Sequence, residues 1–177
     1  MKLVLGLVGV IACSTTHSEG PEFPNVAKLD VSSTAFAANA EIPVVHTCEG
    51  ANTAPPLAWS GTPSATKSFA VIVDDPDAPD PAAPKRTWVH WVLMNLPATA
   101  TTIPADAVAG KNDFGKTEWG GPCPPIGRHR YFFKVYALDA TGLGKVGMTK
   151  PELLDAIKDH VVARGELVGT YQKQAKK

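Results

Sequence analysis

An excess of either charge is what this 177-residue chain most clearly lacks: Lys plus Arg and Asp plus Glu both total 17, for a formal net charge of zero. With no basic field to draw in a polyanion, nucleic acid is not expected as a partner. Long hydrophobic runs are missing too. The apolar run Leu3 to Ala12 would span about 15 Å as a helix, half of a bilayer core, so no transmembrane segment is expected. Neither His-Glu-x-x-His nor Gly-x-Ser-x-Gly occurs, and no activated-nucleophile pattern is visible, which removes the usual signatures of hydrolases. What is abundant is punctuation. Sixteen prolines and fifteen glycines separate short apolar runs, the pattern of a loop-rich β protein, and the length suits one domain with a sizeable core.

Met1-Lys2 ahead of the apolar run has the form of a signal peptide, and Val10-Ile11-Ala12-Cys13 resembles the lipobox of bacterial lipoproteins. That resemblance implies a signal over residues 1–13, lipidation at Cys13, a tether over 14–27 and a single domain over 28–177. The product would be exported and lipid-anchored to the bacterial envelope, or periplasmic. An ordinary signal peptide cut later, or a hydrophobic N-terminal strand, would fit the same residues. With Cys13 lipidated, Cys48 and Cys123 remain. An exported compartment permits a disulfide between them, but their spacing leaves the pairing open.

Along the chain, Lys28 to Phe36 and Ile42 to Thr47 read as extended segments, followed by a breaker-rich loop and a short strand at Leu57 to Trp59. Ser68 to Val73 is a buried strand. Thr87 to Leu96 is the strongest strand signal, with Trp88, His90, Val92, Met94 and Leu96 expected on one face. Gly110 to Gly115 reads as an exposed turn, and Tyr131 to Asp139 as a strand. Thr149 and Glu152 fit a capping box, with Pro151 in the first turn and a staple of Met148 and Leu153. Leu153, Leu154, Ile157 and Val161 form an apolar stripe that Gly165 is expected to stop. Glu166 to Tyr171 reads as one more short strand.

Three groups of residues carry chemistry. Asp74-Asp75-Pro76-Asp77-Ala78-Pro79 follows the buried strand, and its prolines hold Asp75 and Asp77 on a stiff loop; aspartate is also an ordinary turn residue. His90 lies on a strand apolar on both faces and needs a partner. His129 follows the rigid run Gly120-Gly121-Pro122-Cys123-Pro124-Pro125.

Asp-Pro-Asp-Ala-Pro, Trp-Val-His-Trp-Val-Leu-Met-Asn and Gly-Gly-Pro-Cys-Pro-Pro with Gly-Arg-His-Arg-Tyr, in this order, resemble the phosphatidylethanolamine-binding protein family, also called Raf kinase inhibitor-like proteins. Thr47-Cys48-Glu49-Gly50 and the Gly-Thr-Tyr ending at Tyr171 are similar to its bacterial branch. Arg128 departs from the animal pattern. The resemblance implies a mainly β fold, a β-sandwich of two antiparallel sheets with a C-terminal helix. It also implies a small anion pocket walled by Asp75, Asp77, Pro79, Trp88, His90, Gly121, Pro122, His129 and Tyr131. Family members accept phosphate-like and carboxylate-like groups there, including the phosphoethanolamine head group.

The implied function is non-catalytic binding of small phosphorylated or anionic ligands such as phospholipid head groups, with no cofactor. In such a pocket one carboxylate would orient a histidine, whose other N–H, with backbone N–H groups near Gly121 and the Tyr131 phenol, would meet the anion. Two alternatives use the same residues: a protease-inhibitor or other protein-interaction role, and a metal-dependent or acid/base hydrolase.

Overall fold

Short β-branched and aromatic runs, each closed by proline or glycine, pair into two sheets in the computed structural model, which describes Phe23 and residues 25–174. The expected signal, lipobox and Cys13 lie outside the described residues. The strands are β1 (Ala27–Lys28), β2 (Asp30–Ser32), β3 (Ala58–Ser60), β4 (Ser68–Asp75), β5 (Trp88–Pro97), β6 (Val108–Ala109), β7 (Arg128–Leu138) and β8 (Val161–Gln172), with helix α1 (Lys150–Ile157) before β8. The large sheet has the order β1-β8-β7-β4-β5-β6, and β2 pairs with β3 alone. Pairing is antiparallel throughout except at the edge, where β1 runs parallel to β8. Among the described residues the architecture is therefore mainly β, with two sheets and one α-helix, as the sequence leads one to expect.

β4 holds the centre. All eight of its residues are buried, because β5 and β7 cover both edges and each face carries a layer of its own. Phe69, Val71 and Val73 join Trp59, Leu93, Phe133, Val135 and Leu167 on the side closed by the small sheet. Ala70 and Ile72 join Val92, Met94, Tyr136, Leu138, Leu153 and Ile157 on the side closed by α1. Alternation with period two thus feeds both cores from one strand. The helix starts as its cap residues require, with Thr149 N–H donating to Glu152 Oε2 at 2.8 Å.

Four local readings need correction. α1 ends at Ile157, and Gly165, read as its stop, lies inside β8 opposite Val135. A Cβ at Gly165 would come within 2.3 Å of the Leu29 carbonyl oxygen, so the glycine serves close packing in a strand, and Val161 belongs to β8. Ile42 to Thr47 is not a strand: Val44–His46 forms a 3-10 turn behind Pro43, favoured by the fixed φ of that proline. Gly110 and Asn112 are buried, so the 110–115 turn is exposed only in part. Finally, β5 does not alternate evenly. Val73 and Asp74 pair with Trp91 and Val89, and Phe69 and Val71 with Leu96 and Leu93. These shifts leave one additional residue on β5 at His90 and another near Asn95, which has φ 58°. The second bulge turns Leu96 to the side of Leu93, away from Met94; the first re-aims His90.

Candidate functional site

β4 delivers two carboxylates to the end of the sheet, and β7 runs beside it to meet them. Asp75 closes β4, and its Oδ1 accepts the Asp77 N–H at 2.8 Å, the local turn bond that aspartate favours. Its Oδ2 lies 2.7 Å from His129 Nδ1. Asp75 is therefore the carboxylate that orients a histidine. Asp77 instead receives Arg130: backbone N–H and Nε each donate to Oδ2 at 2.9 Å, and Nη2 to Oδ1 at 2.7 Å.

The electrostatics follow from these partners. Burial pushes the Asp75 carboxyl above its usual range, outweighing the opposing hydrogen bond from His129. For Asp77 burial acts in the same upward direction, but the hydrogen bonds and charge of Arg130 prevail and leave it below the usual range. His129 Nε2 faces the Ile126 carbonyl at 3.0 Å. Both ring nitrogens of His129 thus lie against acceptor oxygens, so the ring is held from both sides.

His90 and Tyr131 form the second part of the site. Their ring centroids are 5.2 Å apart and nearly perpendicular. His90 Nδ1 donates to the Gly120 carbonyl, which leaves Nε2 as the bare nitrogen of a neutral ring. Burial holds that ring neutral, pushing its pKa down to about 4 against the upward pull of Gly120, Asp74 and Asp113. Burial, with the charges of Asp75 and Asp77, holds the Tyr131 phenol far above its ordinary value, so it stays an O–H donor. His90 Nε2 and the Tyr131 hydroxyl are both buried with no hydrogen-bond partner among the described residues, and so is Trp88 Nε1. Such orphaned groups are few in folded proteins and each costs about 1–3 kcal/mol.

The expected backbone donors are engaged elsewhere. Gly121 N–H donates to Asn52 Oδ1 at 2.9 Å, and Gly120 N–H to the His90 carbonyl at 3.1 Å. Their loop is packed against the segment around Cys48. The two cysteines left open by the sequence are joined, with Cα atoms 5.4 Å apart, and Cys48 N–H donates to the Pro122 carbonyl at 3.1 Å. A Cβ at Gly121 would lie 2.2 Å from Asn52 Oδ1 and 2.5 Å from the His46 carbonyl oxygen, so no larger residue fits there. The bacterial-type motifs meet as well: the Tyr171 hydroxyl donates to Glu49.

Of the nine residues expected to form the site, Asp75, Asp77, His90, Gly121, Pro122, His129 and Tyr131 are all buried, while Trp88 and Pro79 are half-buried. Arg128 points away into an exposed ion pair with Glu41 at 2.9 Å. Several residues that matter carried no sequence signal. Phe114 packs on His90 and Trp88 at centroid distances of 5.6 and 5.3 Å while remaining 43% exposed. Trp119 closes another side of His90 at 6.3 Å. Asn112 holds the Phe114 turn: its Oδ1 accepts from Phe114 and Lys116 N–H, and its Nδ2 donates to the His90 and Glu118 carbonyls. Cavities of about 510 and 390 Å³ lie elsewhere, the first beside Arg86 and Leu154, the second beside Pro55, Trp91 and Ile103.

The chain that builds this two-sheet fold matches, over residues 32–172, the family model described as phosphatidylethanolamine-binding protein. The chain belongs to that family. Within it, a UPF0098 protein of Methanothermobacter thermautotrophicus is 41% identical over 149 residues, covering 78% of this chain and 95% of the relative. Among solved structures, a phosphatidylethanolamine-binding protein homologue from Chlamydia trachomatis is similar with a TM-score of 0.77 and 37% identity, over 83% of this chain and 99% of that one. YbcL of E. coli, described as a member of the mammalian PEBP family, has a TM-score of 0.74 and 35% identity, over 84% and 100% of the two chains.

Proposed function

We propose that this chain is a non-catalytic binding protein for small phosphorylated or anionic ligands, including phospholipid head groups, and that His90 and Tyr131 make the polar contacts. The observation that carries the reading is the pair of orphaned atoms, His90 Nε2 and the Tyr131 hydroxyl, on adjacent buried rings. A site held by fixed neighbours and left with two unmatched polar atoms is suited to a ligand that completes them. The Asp75–His129 and Asp77–Arg130 pairs serve as the frame. We also propose export to an oxidising compartment, with lipid attachment at Cys13; the Cys48–Cys123 disulfide supports export.

The test is calorimetric titration with phosphoethanolamine. His90→Ala removes a charge-assisted hydrogen bond of about 1.5–3 kcal/mol, so binding is expected to weaken by more than about tenfold. An unchanged dissociation constant would remove His90 from the site.

A further inference from the structure

Resting on that reading and narrowing it, we infer that the site takes its oxyanion together with a proton, and so selects phosphomonoesters, free phosphoethanolamine among the head groups, over sulfate and over phosphodiesters such as the head group of an intact phospholipid. The argument is one of hydrogen-bond polarity. Because His90 Nδ1 is bound to the Gly120 carbonyl, the atom left for a ligand is a bare nitrogen, an acceptor. Tyr131 offers an O–H donor. One acceptor beside one donor complements an acid group that presents an O–H and a second oxygen, such as the monoanion of a phosphomonoester. A fully ionised phosphate or sulfate would place a lone pair against the His90 lone pair.

Fixed charge does not rescue the ionised form. The basic groups nearby already face carboxylates: His129 lies against Asp75, Arg130 pairs with Asp77, and Arg86 pairs with Asp113 at 2.9 Å. The titratable and charged groups that act on His90 are Asp74 from β4, Asp113 from the 110–115 turn and His129 from β7; Tyr131, also on β7, faces its ring and remains a phenol. Asp74 itself is held by Lys134 and Lys150. The charge of a buried anion must therefore be reduced by a proton, on the ligand or transferred to His90 Nε2. In both cases the bond is O–H···N or O⁻···H–N, and the complex holds one proton more than the free dianion and the free site.

The consequence is selective. A monoester has a second ionisation near pH 6 and retains an accessible P–OH, whereas a diester and sulfate have none at neutral pH. Sites built around a hydrogen-bonding group reject analogues that lack it by large factors.

Titration of the whole protein with phosphoethanolamine, glycerophosphoethanolamine and sulfate tests this, since the first two share the ammonium group and differ in the P–OH. At pH 8, in two buffers of different ionisation enthalpy, phosphoethanolamine is expected to bind with uptake of about one proton, its affinity falling about tenfold per unit above pH 6. The diester and sulfate are expected to bind at least about thirtyfold more weakly at pH 6. Phosphoethanolamine binding without proton uptake, or sulfate binding as well as phosphoethanolamine, overturns the inference and leaves the anion-binding reading standing. Failure of all three to bind overturns both.

Discussion

Asp75 makes two decisions at once by ending a buried strand: it closes the turn through Asp77 and it fixes the orientation of His129. Removing it leaves a buried histidine facing one acceptor and no counterpart. Asp75→Ala is expected to cost about 3–5 kcal/mol in urea denaturation, the range for breaking a buried pair. Asp75→Asn, whose amide oxygen still accepts from Nδ1, is expected to cost less than half of that. Equal losses would show that His129 does not depend on this contact. Asp77 is different, because Arg130 is more than half exposed and can return to water.

The elements decide where these side chains can go. β5 carries an additional residue at His90, and this bulge takes the imidazole out of strict alternation and sets it among Tyr131, Trp119 and Phe114. The sequence pattern shows a strong strand but not its bulges, because an inserted residue looks like any other member of the run. The turn over residues 110–115 behaves as a second positioning element, and Asn112 is its organiser, with all four of its bonds made inside the fold. Asn112→Ala is expected to destabilise the protein by about 3 kcal/mol in thermal or urea unfolding. Phe114 should become more mobile with it, and retention of full stability would refute the role given to Asn112. The helix was legible in advance at its start, where capping is local, and misread at its end. Gly165 matches a helix stop in sequence, but β7 offers β8 a continuous partner from Arg128 to Leu138, and tertiary pairing prevailed over the local signal.

For the whole molecule, the buried neutral histidine makes stability depend on acid. The unfolded chain protonates His90 below about pH 6.5, while the native state resists until about pH 4. Proton binding to the unfolded state is then favoured as pH falls through that window, and the native state loses about 2–3 kcal/mol. Asp75, whose pKa is raised, acts in the opposite direction, and the stabilisation from Asp77, whose pKa is lowered, is lost only at still lower pH. Comparison with His90→Gln isolates the first effect: wild type is expected to lose about 2–3 kcal/mol relative to the variant between pH 7 and pH 4.5. Parallel curves would show that His90 is not held neutral.

By itself, the sequence determined what depends on neighbours in the chain. The buried run of β4, the aspartate turn that follows it, the capping box of α1 and the order of the family motifs are all local, so period, proline and aspartate suffice to read them. Only the tertiary structure decided which polar atoms are engaged and which are left without a partner among the described residues. Asp75 meets His129 across 54 residues, Asp77 meets Arg130 across 53, and Gly121 meets Asn52 across 69. A hydrogen-bonding group satisfies itself with whatever donor or acceptor the fold places within 3 Å, and no spacing in the sequence states that distance. The aspartates and His129 are therefore engaged with partners far away in the chain, while His90 Nε2 and the Tyr131 hydroxyl are left unmatched among the described residues.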